Sequence, residues 1–149
     1  MGRSTSPFAV PHSVAGGLRQ ALDSWRALRR GQAKVPFADD LDLAAIEREN
    51  DDVFVLGVFE RPIRFRFDIV SLPHFAAAGH DLGDRFLDEI GEPAPLALAR
   101  AQADATVELG EPTFYQRPEE AGVRGYVRLM LPFWGEGHIK LVLGVVARG

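Results

Sequence analysis

The sequence predicts an α+β domain in which one curved antiparallel sheet is covered by helices. Three observations carry this. Apolar spacing in the first third of the chain has the helical period, with Leu18, Leu22, Trp25 and Leu28 forming one stripe. The period then changes to two at Ile63-Arg64-Phe65-Arg66-Phe67-Asp68-Ile69-Val70, where apolar and polar residues alternate. Further short helical segments follow, and strand-like runs return near the end, the last of them Ile139-Lys140-Leu141-Val142-Leu143-Gly144-Val145-Val146.

In order, residues 1–13 read as a flexible tail rich in small residues and proline. Residues 14–149 form one domain, with N-terminal helices over 14–50 and a sheet-bearing core over 53–147. The first helix spans 14–30, with Arg26, Arg29 and Arg30 near its C-terminal dipole and Gly31 as its cap. Pro36 stops any continuation. A second, shorter helix begins after Asp40, where Asp39, Asp40 and Asp42 offer capping carboxylates.

Val53-Phe54-Val55-Leu56-Gly57-Val58-Phe59 is β-branched and aromatic, so it reads as strand one. A turn at Glu60-Arg61-Pro62 joins it to strand two as an antiparallel hairpin. Strand two should point Ile63, Phe65, Phe67 and Ile69 one way and Arg64, Arg66 and Asp68 the other. Short, glycine-broken helices cover 71–91, one of them over 85–90. A longer helix runs over 95–107, with Gly110 beyond its end. Three strands finish the chain, over 112–117, 123–133 and 138–147. The last is apolar on both faces in its second half and needs cover on both, one side from the inserted helices and the other from the Trp25 helix.

Composition narrows function. Seventeen basic residues against twenty-one acidic give a net charge of −4, which disfavours a nucleic-acid binder held by phosphate contacts. The basic stretch of Arg26, Arg29, Arg30 and Lys34 reads as a solvated helix face. There is no cysteine, which removes disulfides, thiolate metal sites and cysteine nucleophiles, and suits a reducing compartment. No apolar run reaches the ~20 residues of a membrane span. A cytoplasmic location, without membrane partners, is the expectation.

Helices, two strands, short helices and three strands is the layout of a PAS fold. Its five-stranded antiparallel sheet carries helices between strands two and three, here with an N-terminal helical extension. Residues sharpen the match. Leu22-Asp23-Ser24-Trp25-Arg26-Ala27-Leu28-Arg29-Arg30-Gly31, followed by Val35-Pro36, resembles the N-terminal signature of a bacterial family of stand-alone PAS-domain proteins. Gly79-His80-Asp81-Leu82 is similar to that family's Gly-Arg-Asp-Leu-Thr-Gly. Tyr126-Val127-Arg128-Leu129-Met130-Leu131-Pro132-Phe133 is similar to its Tyr-x-Arg-Leu-Leu-Leu-Pro-Leu strand. The resemblance spans 18–146. The family's Gly-Thr pair at the end of strand two is replaced here by Ile69-Val70-Ser71-Leu72, and its Thr-Gly by Gly83-Asp84.

The resemblance implies sensing or partner binding rather than catalysis. A ligand cavity would be lined by Phe65, Phe67, Phe75, His74, Leu98, Leu129 and Leu131, or those positions would form a filled core. Arg64, Arg66 and Arg128 should face the other way, where Arg66 and Arg128 would meet acidic residues of the N-terminal helices or a partner. A small-molecule ligand and a signalling protein acting in trans are the expected partners, with a homodimer as the oligomer. Leu18, Leu22 and Trp25 are the candidate interface, unless they cover the sheet instead. No cofactor is specified. Haem would have only His74 or His80 as a ligand, because the histidine that haem-binding relatives place on the long helix is missing. Light-sensing flavin chemistry needs the cysteine the chain lacks. No metal cluster and no catalytic set stands out. The small-enzyme alternative would need His74 or His80 with Asp68 or Asp81. A third alternative is an interaction domain without a ligand.

Overall fold

The structure, a computed structural model, describes residues 7–149. Helix α1 spans Gly16–Leu28 and α2 spans Leu43–Glu47. Strands β1 (Asp52–Phe59) and β2 (Arg64–Ser71) follow, then two 3-10 turns at Ala76–Gly79 and Leu87–Glu89 and helix α3 (Ala99–Leu109). Strands β3 (Thr113–Arg117), β4 (Tyr126–Gly135) and β5 (His138–Arg148) complete the chain. The five strands form one sheet in the order β2-β1-β5-β4-β3. Every neighbouring pair is antiparallel.

The β4–β5 hairpin shows how local sequence sets register. Gly135 pairs with His138, leaving the two-residue loop Glu136-Gly137. Both loop residues have positive φ, 53° and 85°, the backbone of a type I′ turn whose twist matches that of the strands. From that turn, β5 runs into the middle of the sheet between β1 and β4. Its side chains are buried on both faces, as its doubly apolar sequence requires. Val142 and Val146 join the core under the inserted helices, and Leu143 and Val145 the core under α1. Gly144 lies opposite Phe54 on β1, and a Cβ there would run into the Phe54 ring. The missing side chain lets that ring cross the strand.

Helix α1 lies on the other sheet face. Leu18, Leu22 and Trp25 are all buried there, and the Trp25 indole N–H donates to the Pro132 carbonyl at 2.7 Å. Helix α2 is capped by Asp42, whose Oδ1 accepts the Ala45 N–H at 3.2 Å. Asp39 and Asp40 form a 3-10 turn rather than a helix start, and Asp40 receives two bonds from Arg30 at 2.8 and 2.7 Å. Gly31 does not cap α1. Arg29 is the cap residue, in extended conformation, and Gly31 turns two residues later.

Four further expectations need correction. First, the stretch read as a tail is anchored to the domain at Phe8. Phe8 is buried, its carbonyl accepts the Phe114 N–H at 2.8 Å, and its ring lies 6.3 Å from Tyr115, so it covers the β3 edge. The remainder of the predicted tail, residues 1–6, lies outside the described residues.

Second, the alternation of β2 breaks. Val55 faces Ile69 and Leu56 faces Phe67, so Asp68 is an extra residue in a β-bulge. One added residue inverts the phase. Phe65 and Phe67 stay in the core, Ile69 becomes 44% exposed, and Val70 packs inward in its place. Ile63 falls in the turn and is exposed too.

Third, residues 85–86 are extended rather than helical, because their backbone adds to the β2 edge. The Phe67 N–H reaches the Arg85 carbonyl at 2.9 Å, and Asp84 N–H the Phe67 carbonyl at 2.8 Å. Fourth, α3 starts at Ala99 rather than at 95, because Leu98 is left-handed (φ 56°). It ends as expected at a left-handed Gly110, whose N–H bonds Thr106.

Candidate functional site

Strand β4 alternates between two cores. Met130 pairs with Gly144 and Gly144 with Phe54, which puts Tyr126, Arg128 and Met130 on the face covered by α3. Leu129 pairs with Val145 and Val145 with Val53, which puts Leu129 and Leu131 under α1. This reverses the predicted sides. Arg128 points toward the inserted helices, not toward the N-terminal ones.

Arg128 is fully buried. Its Nε donates to Gln102 Oε1 at 2.7 Å and its Nη1 to the Pro95 carbonyl at 2.7 Å. The Tyr115 ring centroid lies 4.7 Å from Cζ, a cation–π contact. Among the described residues, Nη2 is buried with no acceptor at bonding geometry. Burial, the largest effect, pushes the guanidinium down to about 10, opposed by the nearby oxygens of Tyr126 and Tyr115 and by Glu92. It remains a cation at neutral pH. Burial also raises the Tyr126 phenol above its ordinary value, against the hydrogen bond its oxygen accepts from Ala97 N–H at 3.2 Å.

The guanidinium ends a wholly buried polar network. Gln102 Nε2 donates to Thr113 Oγ1 at 3.1 Å and to the Arg128 carbonyl at 3.2 Å. Thr106 Oγ1 donates to the Gln102 carbonyl at 2.8 Å and sits 2.6 Å from Thr113 Oγ1. Buried polar groups persist when they are bonded, and this network satisfies every member except Nη2. The sequence reading missed it. The signal was present as Gln102 and Thr106, polar residues four apart on the alanine face of α3, and as an arginine in an apolar strand.

The predicted site residues do not share one cavity. Phe65, Phe67 and Phe75 are buried in the helix-side core, with Phe67 edge-on to Phe54 at 5.8 Å and Phe75 edge-on to Tyr126 at 5.7 Å. Leu98 is 48% exposed because it caps α3 in a left-handed turn, outside the helix proper. Leu129 and Leu131 belong to the opposite core. Leu18, Leu22 and Trp25, offered as an interface, are buried within the chain; of the two roles weighed for them, they take the sheet-covering one.

On that side α1, α2 and the sheet border a cleft of about 260 Å³. It is lined by apolar residues including Trp25, Leu28, Ile46, Leu131 and Phe133, with Ser24 and Asp42 as its polar members.

His74 is bonded to Asp52, not to Asp68 or Asp81. Asp52 Oδ2 lies 2.8 Å from His74 Nδ1, and its Oδ1 accepts the His74 N–H at 3.1 Å. The Asp52 side chain is 8% exposed and that of His74 57%. Arg148 donates to the His74 carbonyl at 2.6 Å and stacks 4.1 Å from the Phe75 ring. These contacts clamp the segment after β2 to the ends of β1 and β5. His80 lines an open groove of about 230 Å³ with Leu72 and Leu82. Asp68 pairs with Arg66 at 2.8 Å. Arg64 makes two 2.8 Å bonds to Asp88, whose carboxyl that hydrogen bonding holds below the usual range. Neither Arg64 nor Arg66 reaches the N-terminal helices.

Among the described residues no helix is long and apolar enough to cross a membrane, and no group of three or more His, Asp or Glu side chains is placed to hold a metal ion. Fold and site define an α+β domain with a five-stranded antiparallel sheet covered on both faces. Comparison with protein-family models, with curated proteins and with solved structures found no match.

Proposed function

We propose that this chain is a sensory or adaptor module of the PAS type. It binds a small ligand or a protein partner and passes the signal on through an interface, as a homodimer working in the cytoplasm. One observation carries the reading. A single five-stranded antiparallel sheet receives all its inserted helical segments between β2 and β3, the arrangement that the sequence resemblance implies.

The site supports a binding role. A buried polar network and a cation without a contact ion pair lie between α3 and the sheet, where a change in occupancy would be felt by both layers. The His74–Asp52 pair is the arrangement that would favour catalysis. We assign it to docking, because its bonds and that of Arg148 fix the backbone after β2. A ligand shifts such a module only by binding one of its states better than another.

Native mass spectrometry of the purified full chain tests the reading. The expected spectrum contains a species at twice the 16.4 kDa chain mass, or the chain carrying a small adduct released on activation. A bare monomer at every concentration, with no adduct, would overturn it.

A further inference from the structure

Arg128 is a fully buried cation that forms no ion pair at contact distance among the described residues, Glu92 acting on it only from further off. Taking an isolated charge out of water costs several kcal/mol even after the protein relaxes. Two neutral acceptors, the Tyr115 ring, the Tyr126 oxygen and the field of Glu92 offset part of that. Glu92, just before the covering segment, adds a favourable field but does not bond the guanidinium.

We infer that Arg128 is the anchor for the carboxylate of a small organic acid with an apolar or aromatic body, admitted beneath the segment 93–98. This names the ligand class of the sensory-module reading and rests on it. Nε and Nη1 already have partners, while Nη2 has no acceptor at bonding geometry among the described residues, the Tyr126 oxygen lying nearby. That suits one or two oxygens of a monoanion and falls short of the several donors a phosphate dianion demands. Tyr115 and Tyr126, with ring centroids 6.2 Å apart, and Phe75 edge-on to Tyr126 supply aromatic surface beside the cation. Surroundings of this composition, mostly apolar with a few placed polar groups, are the kind that line small-ligand sites.

The covering segment has the means to respond. The Pro95 carbonyl rests on Arg128 Nη1, the Ala97 N–H on the Tyr126 hydroxyl, and the Ala94 carbonyl on the Ala77 N–H. A carboxylate that takes Nη1 together with Nη2 displaces the Pro95 carbonyl. Bidentate pairing with a guanidinium is the stronger bond, so the exchange is favourable. The segment is then free to shift at Leu98, an exposed leucine held in the left-handed region at the start of α3. Ligand occupancy is thereby converted into a change on the surface.

The test follows the Arg128 Nε–H signal of the ¹⁵N-labelled full chain by NMR. Assignment comes from its loss in Arg128→Lys or, if that variant does not fold, from its contacts with the Tyr115 ring in the unaltered protein. Sodium benzoate and sodium butyrate are titrated against benzamide, a neutral isostere of benzoate, and against inorganic phosphate at matched ionic strength. The expected result is a saturable shift with a carboxylate, at a concentration at least about tenfold below any effect of benzamide, a ratio of about 1.4 kcal/mol. No shift with either carboxylate, an equal shift with benzamide, or a shift with phosphate alone would overturn the inference. A neutral adduct in the native mass spectrum with a silent Arg128 signal removes the carboxylate assignment and leaves the module reading. A saturable carboxylate shift in a chain that is otherwise bare and monomeric keeps the anchor and removes the module reading.

Discussion

Trp25→Ala is expected to destabilise the fold by about 3–5 kcal/mol, the range for emptying a buried aromatic site. Trp25 is the largest side chain with which α1 covers the sheet, and it is buried against the core that contains Val53, Leu131 and Leu143. Its loss also strips the Pro132 carbonyl of the indole N–H that bonds it at 2.7 Å. For a domain of this size the change lowers the melting temperature by roughly 10 °C. Trp25→Phe restores most of the volume and none of the hydrogen bond, so it should cost about 1–2 kcal/mol. Urea unfolding followed by circular dichroism separates the two. An Ala variant within about 1 kcal/mol of the parent would mean that α1 is a detachable cover rather than part of the core.

Gln102→Leu should cost about 2–4 kcal/mol although it makes the interior more apolar, because it leaves a buried charged group short of a partner. Gln102 gives Arg128 Nε its acceptor and gives Thr113 and the Arg128 carbonyl their donor. With leucine, the guanidinium keeps the Pro95 carbonyl and the Tyr115 ring but loses the acceptor of its Nε. The double variant Gln102→Leu/Arg128→Met removes the stranded charge, so it should recover part of the loss. The pair is then strongly non-additive. Additive costs in the unfolding free energies would show that the two side chains do not act as one unit.

The elements were largely legible because their patterns are local. The Leu18-Leu22-Trp25 stripe forms a helix whose apolar face meets the sheet. The doubly apolar β5 requires cover on both faces, and it receives it. What failed depends on distant backbone. The Asp68 bulge exists because β2 must follow β1 past Val55, and no pattern within β2 announces the added residue. Segment 85–86 is extended because it pairs with an edge strand.

The site was less legible for a related reason. Alternation shows that Arg128 and Leu129 face opposite ways but not which way is toward α3, since β4 is buried on both faces. Leucines on both sides of a sheet look alike in sequence. Only the pairings of Met130 with Gly144 and of Gly144 with Phe54 fix the face. Leu98 looked like helix interior because leucine favours helices, yet its left-handed backbone ends that run.

The exchange rate of the Arg128 Nε proton with water, at neutral pH in the free protein, probes the buried cation without altering the chain. With the side chain wholly enclosed and Nε bonded to Gln102, it should exchange orders of magnitude more slowly than an exposed arginine, and show contacts to the Tyr115 ring. Exchange as fast as that of a free arginine side chain would place the guanidinium in solvent and contradict the account.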